Sequence, residues 1–395
     1  MKKISLLYIF ISGTLLILLL ASNDKFLSTL PIYHGSKFQD LRYIFEYGEC
    51  LRKITNNYCA NYEVHPFVYP QIWITISKYT NLFYGTIFYI FLVFLYFIIS
   101  IITFKDIKNK NILHFLFFFS PASILLIIRG NNDIVIFLLI YLLMILLKNN
   151  RLRIISFSLF LLTYLLKIYT IFLIVIFFIK KKNFNYINYF FFLIFIIVNL
   201  YFINEILEIN KIYNKSKIVA AYSSSLIFDL YNYLNFRIKI NSELFSKFAF
   251  LIIALLSFTK YNIINYKISK KNNLLFISGS IILVSSFFLS RTFDYKLIFV
   301  LLIIPTIFEI KEKTNSKLIN LILASIFLML WFESVIFYYS AYINYQVNKF
   351  IYLQNYSSEA FILGFMLILK NIFQWVLNIF MIFLSKNLVF KNLYK

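Results

Sequence analysis

Acidic residues are scarce in this chain: 16 of them stand against 39 lysines and arginines in 395 residues. Charged residues of both signs make up only 14% of the sequence, where a soluble domain carries about 25%. With 61% of residues hydrophobic, a soluble domain of any size is excluded. Seven glycines and five prolines are too few for collagen-like or flexible-linker segments. There is no Walker loop, no Rossmann fingerprint and no serine nucleophile elbow, which argues against nucleotide-sugar binding by a cytosolic domain. The three histidines, His34, His65 and His114, have no metal-ligand spacing, so no structural metal is expected. No internal repeat, linker or low-complexity tail breaks the chain, and residues 1–395 read as a single integral membrane domain.

What remains is long apolar runs. A hydrocarbon core about 30 Å thick needs roughly 20 apolar residues of helix. Residues 4–21, 82–103, 112–128, 186–203, 273–290, 319–340 and 360–384 meet that need, and 133–147, 154–166, 168–179, 245–259 and 297–310 are shorter or noisier. The runs are continuous rather than alternating, which excludes barrel strands. The expected fold class is all-α: a polytopic transmembrane helical bundle of about 11–12 hydrophobic segments, some short or re-entrant. The abundance of Ile, Phe, Tyr, Asn and Lys suggests an AT-rich genome, so a single Lys or Asn carries less information than usual.

A net charge of +23 raises the question of nucleic acid, but the positions of the charges answer it. The basic residues cluster in short runs between apolar stretches, as in cytoplasmic membrane loops. With Lys2 and Lys3 inside, the runs Lys105–Lys110, Lys148–Arg153, Lys180–Lys182, Lys260–Lys271, Lys311–Lys317 and Lys386–Lys395 all fall on the same side. The expected location is the bacterial cytoplasmic (inner) membrane, multi-pass, with both termini cytoplasmic, membrane lipid as surroundings and no nucleic-acid partner. Residues 1–21 also admit the reading of a cleaved signal peptide, which leaves the remaining topology unchanged.

This topology requires 153–179 to be two helices. One helix of that length would run roughly 40 Å and place Lys180–Lys182 outside. Two short helices meeting near Lys167 keep it inside, and each spans only about 20 Å. Their junction then lies below the outer surface, as does the turn Arg129-Gly130-Asn131-Asn132-Asp133. Non-helical backbone at such depth needs protein or a watery cavity around it, so a recessed polar cavity opening outward is implied.

Two long polar stretches fall outside, 22–81 and 204–244. The first reads as an amphipathic helix over 36–53, with Phe38, Leu41, Ile44, Phe45 and Leu51 on one face and the interface as its plain location. It also holds both cysteines, Cys50 and Cys59, a possible structural disulfide in an oxidising compartment. Asp40 is either a general base towards a hydroxyl or a solvated acid favouring the helix dipole. Arg129 with Asn132 and Asp133 forms either an anion site or a helix cap. Lys167, inside an apolar run, is either a phosphate contact or half of an ion pair. Arg291, Asp294 and Lys296 can bind a phosphate or sugar, or form a solvated turn; Asp229 is a weaker candidate.

The order of these features resembles the GT-C glycosyltransferases, particularly glycosyltransferase family 87, the polyprenyl-phosphate-mannose-type mannosyltransferases. That family has an Asp and a Tyr in its first outer loop, then Tyr-Pro-Pro before the second span. Here Asp40 and Tyr43 precede Val68-Tyr69-Pro70-Gln71, with Gln in place of the second Pro. A Ser-Pro opening a helix, then Gly-Gln, is matched by Ser120-Pro121 and Gly130-Asn131-Asn132-Asp133, without the Gln. A Lys closely followed by Tyr-Pro is matched by Lys167 and Tyr169, with Thr170 replacing Pro. The match covers about residues 30–180; beyond 200 only the general layout and the Arg291–Lys296 turn correspond.

The resemblance implies a GT-C-like enzyme, metal-independent or weakly metal-dependent, with no cofactor. Its partners would be a polyprenyl-phosphate-sugar donor and a glycan or lipid acceptor. Asp40 would be the base; Arg129, Asn132, Asp133, Lys167, Tyr169, Arg291, Asp294 and Lys296 would form the substrate and phosphate side, and Tyr43, His65 and Tyr69 the acceptor side. An O-antigen polymerase or ligase is the alternative enzyme, but such proteins carry their major outer loop in the second half. A lipid or polysaccharide transporter or flippase is the non-enzymatic alternative, though the two halves of the chain do not match as repeats.

Overall fold

The computed structural model describes residues 5–27, 37–53, 69–149, 152–179, 186–213, 221–226, 228–229, 241–257, 268–289, 292–314, 316–342 and 358–392. His65, Cys59 and Arg291 lie outside the described residues. In chain order the helices are α1 (Leu6–Ala21), α2 (Asp24–Leu27), α3 (Gln39–Lys53), α4 (Gln71–Tyr79), α5 (Leu82–Phe104), α6 (Lys110–Phe118), α7 (Pro121–Arg129), α8 (Asp133–Leu147), α9 (Arg153–Leu166), α10 (Ile174–Ile179), α11 (Tyr186–Tyr213), α12 (Ser242–Ser257), α13 (Lys270–Leu289), α14 (Val300–Thr314), α15 (Lys317–Tyr342) and α16 (Ser358–Asn392). Two 3-10 turns, Ile168–Leu173 and Asp294–Phe299, join α9 to α10 and lead into α14. Apart from one two-residue antiparallel pairing, Ala221–Tyr222 with Thr292–Phe293, the described architecture is all-helical.

Among the described residues three helices are long and apolar enough to cross a membrane: α5, α13 over Lys270–Phe288, and α16 over Gly364–Lys386. At 1.5 Å per residue the 23 residues of α5 rise about 34 Å. Its start is set by Asn81, whose Oδ1 accepts the Tyr84 N–H at 3.0 Å. The segment 112–128 is not one straight helix; it breaks into α6 and α7 with a 53° bend. Pro121 opens α7 and lacks the N–H that would continue α6, and the residue before a proline is pushed away from helical angles. If the bent pair is one span it makes a fourth. In the 204–244 stretch, α11 runs on to Tyr213, because no glycine or proline stops it where the apolar residues end.

The chain packs as two compact units. In the first, residues 1–27, 34–105 and 126–214, α3 lies against α4 and α5, α5 against α8, and α8 against α9. Phe38, Leu41, Ile44 and Phe45 are buried, while Leu51 is exposed, so most of the amphipathic face of α3 is covered by protein rather than left for an interface. Gly48 permits this: a Cβ there would sit 2.8 Å from the Ser77 carbonyl carbon of α4. Cys50 is held in a disulfide. Lys37 Nζ donates to the Leu20 and Ser22 carbonyls at the end of α1, where a cation favours the helix dipole. Burial lowers the Lys37 pKa from its ordinary value, Asp24 opposes that shift and Arg42 adds to it. An aromatic cluster of Phe157, Phe160, Phe177 and Phe191 ties α9 and α10 to α11.

The second unit, residues 28–33, 106–125 and 215–395, has a polar centre. The segment 222–225 is buried but not helical, so its backbone must find partners in an apolar surrounding. Asn371 Nδ2 donates to the Ser223 carbonyl at 2.8 Å, and Asn378 pairs with the Tyr222 hydroxyl. The Ser224 N–H caps the last turn of α13 through the Phe287 carbonyl at 2.9 Å. Thus Asn371, Gln374 and Asn378, one stripe of α16, replace water for a strand-like insert.

Candidate functional site

The site grows from the end of α7. Leu126, Ile127 and Ile128 would leave unsatisfied carbonyls there. Gly130, at φ +69°, turns the chain left-handed, so that Asn131 N–H reaches the Leu126 carbonyl at 3.2 Å and Gly130 N–H the Ile127 carbonyl at 3.3 Å. This is the Schellman arrangement. The Tyr89 hydroxyl adds bonds to Leu126 and Ile127, and the Phe38 N–H donates to Ile128 at 2.7 Å. That last bond draws the start of α3 onto the end of α7. Phe38 itself has φ 56°, which is why α3 begins at Gln39.

Asp40 and Arg129, 89 positions apart, meet as a result. Arg129 Nη2 and Nε donate to Asp40 Oδ1 at 2.6 and 3.1 Å. Asn131 Nδ2 donates to Asp40 Oδ2 at 2.6 Å. Asp40 is 7% exposed, so the alternative of a solvated acid at a helix start does not describe it. A Cβ on Gly130 would lie 2.9 Å from Leu41 Cβ and 3.1 Å from Phe38 Cα. Gly130→Ala is therefore expected to lower stability by about 2 kcal/mol through the left-handed angle alone. Thermal unfolding in detergent checks this; wild-type stability would mean that α7 can end another way.

A second centre forms around Asp133, which is fully buried in the first turn of α8. The Tyr169 hydroxyl donates to Asp133 Oδ1 at 2.8 Å, and Lys167 Nζ lies 3.7 Å from the same oxygen. Lys167 stands at the break between α9 and the 3-10 turn, in extended conformation (φ −153°, ψ 113°), so 153–179 is two short helices meeting at that residue. The break is held by Trp73, whose indole N–H donates to the Leu166 carbonyl at 3.0 Å. Thr170 donates to the Lys167 carbonyl from both its N–H and its hydroxyl, which a proline at that position could not do. Lys167 Nζ also lies 4.9 Å from the centre of the Tyr69 ring, and Tyr69 is 6.3 Å from Tyr43. Burial, with Tyr47 adding to it, pushes the Tyr43 phenol up to about 12, so it stays a hydrogen-bond donor.

Asn131 joins the centres, since its Oδ1 accepts the Asp133 N–H at 2.9 Å while its amide holds Asp40. Asp40, Tyr43, Tyr69, Arg129, Asn132, Asp133, Lys167 and Tyr169 thus belong to one unit, from four separated stretches of chain. Arg129 and Lys167, expected from sequence as phosphate contacts, are each paired with a carboxylate. An apolar cavity of about 260 Å³ is lined among others by Gln71, Thr75, Tyr164 and Tyr201, with Pro70 and Ile168, which follow Tyr69 and Lys167 in the chain.

Other candidates stand elsewhere. Lys296 is buried in the second unit, and Asp294 opens the 3-10 turn there. Asp229 accepts from the Ser225 hydroxyl at 3.1 Å. His114 is buried and stacked on Phe118. Among the described residues no group of three or more His, Cys, Asp or Glu side chains could hold a metal ion. Sequence reasoning left Asn131 and Tyr89 without roles, although Asn131 stands inside the Gly130-Asn131-Asn132-Asp133 match. It also passed over the α16 amides, although polar side chains at successive turns of an apolar helix were a readable signal. No family model, curated protein or solved structure matches the chain, so the geometry of this cluster carries the functional reading.

Proposed function

We propose that the chain is a membrane glycosyltransferase. It moves a sugar from a polyprenyl-phosphate-linked donor to an acceptor hydroxyl at the outer face of the bacterial cytoplasmic membrane, with both termini cytoplasmic. The observation that carries the reading is the buried meeting of Asp40 with Arg129 and Asn131, beside the Asp133, Lys167 and Tyr169 centre.

In the reaction, the acceptor oxygen attacks the anomeric carbon and the bond from that carbon to the phosphate oxygen breaks. The hydroxyl proton passes to Asp40, the general base. Protonation of Asp40 removes the counter-charge of Arg129 just as negative charge grows on the departing polyprenyl phosphate. Arg129 is then electrostatically available to the leaving group, and Lys167 supports it. Asn131, bonded to the other carboxylate oxygen, holds Asp40 in one orientation. The apolar cavity lined by Pro70 and Ile168, the residues that follow Tyr69 and Lys167 in the chain, supports an isoprenoid tail on the donor.

The test is transfer by the purified protein from a panel of polyprenyl-phosphate hexoses to glycan and lipid acceptors, followed by mass spectrometry. Asp40→Asn keeps the size of the side chain and should reduce turnover by about 10²–10⁴-fold. Full turnover by that variant would remove Asp40 as the base, and the absence of transfer by wild type with every donor would sink the reading.

A further inference from the structure

Asn132 is 2% exposed, and neither its Nδ2 nor its Oδ1 meets a hydrogen-bond partner among the described residues. It stands at the N-cap position of α8, where an asparagine side chain ordinarily accepts an N–H of the first turn. Here no such bond forms. Its backbone angles (φ −70°, ψ −2°) are those of a helix rather than of a cap, and the capping bond to Asp133 N–H comes from Asn131 instead. Its two chain neighbours are both committed: Asn131 holds Asp40, and Asp133 holds Tyr169 and Lys167. An amide left wholly unmet in a buried site is destabilising, so it persists where something else meets it.

We infer that Asn132 is a ligand-contact residue whose carboxamide grips two adjacent hydroxyls of a sugar. The identification of the ligand as a sugar rests on the transferase reading; the need for a partner beyond the protein rests on the orphaned amide. A carboxamide presents donors on one edge and an acceptor on the other. A phosphate offers acceptors only and would leave Oδ1 unmet. An apolar chain would meet neither atom. Vicinal hydroxyls supply an acceptor and a donor side by side and satisfy both. Asn132 therefore sets sugar recognition, while Arg129 and Lys167 answer to charge.

The test uses the full-length protein in detergent, with thermal unfolding measured in the presence of methyl α-mannoside, methyl α-glucoside, methyl α-galactoside or inorganic phosphate. At least one glycoside should raise the melting temperature of wild type. Asn132→Leu, of similar size but with no polar atoms, should melt at or above wild type and lose that shift, as should Asn132→Ala. The inference is overturned if no glycoside stabilises wild type, if the shift survives in both variants, or if Asn132→Leu melts well below wild type, which would reveal a structural partner for the amide. Failure of the transferase reading is distinguishable: glycoside binding without transfer from any polyprenyl-phosphate hexose removes the transferase and keeps the Asn132 assignment. Full transfer by Asn132→Ala does the reverse.

Discussion

Arg129→Met should destabilise the fold by about 3 kcal/mol, because it leaves a buried carboxylate with one neutral partner. Arg129 provides a fork of two donors to one Asp40 oxygen, and only the Asn131 amide would remain. Arginine side chains at such sites combine charge with fixed geometry, so Arg129→Lys should recover part of the loss and not all of it. The loss comes mainly from the uncompensated charge, and that makes a double-mutant cycle decisive. Asp40→Asn together with Arg129→Met should be more stable than the sum of the single variants predicts, by at least about 1 kcal/mol. Chemical denaturation in detergent micelles measures all four proteins. Strict additivity would mean that the two side chains do not interact in solution, and the proposed transfer of charge from base to leaving group would lose its basis.

Lys167→Met should cost a similar amount, about 3 kcal/mol, since it removes the cation paired with the fully buried Asp133 carboxylate. The pair is longer than the Asp40 pair, 3.7 Å against 2.6 Å, but Asp133 has no exposed surface through which water could compensate. A local reporter is built in. Trp73 is bonded to the Leu166 carbonyl, one residue before Lys167, so disturbance of the junction should shift its emission towards that of a wetter indole. Adding Asp133→Asn to Lys167→Met removes the stranded charge and should restore much of the stability. If Lys167→Met keeps both wild-type stability and wild-type emission, the Lys167–Asp133 pair contributes nothing and the junction is held by Trp73 and Thr170 alone.

Much of the helical layout was legible because hydropathy is a local property. The apolar runs of α5, α13 and α16 carry enough information in their own residues to be recognised as possible spans. The break at Lys167 was legible for a different reason: one straight helix there would have put basic clusters on both sides of a membrane. Local patterns failed where a single residue changed the backbone. Pro121 sits inside an apolar run that hydropathy scores as continuous, yet it divides the run into α6 and α7. Gly130 is one of seven glycines, and nothing in its neighbourhood of sequence says that its φ is positive or that α3 will lie against it.

By itself, then, the sequence determined the all-helical class, the apolar segments and the short list of polar residues sunk among them. The tertiary structure decided the pairings: Asp40 with Arg129, Asp133 with Lys167 and Tyr169, and Asn131 between them. The division follows from the range of the forces. Burial of an apolar run depends on residues adjacent in the chain, whereas an ion pair between positions 89 apart exists only after packing has chosen one arginine from 39 basic residues.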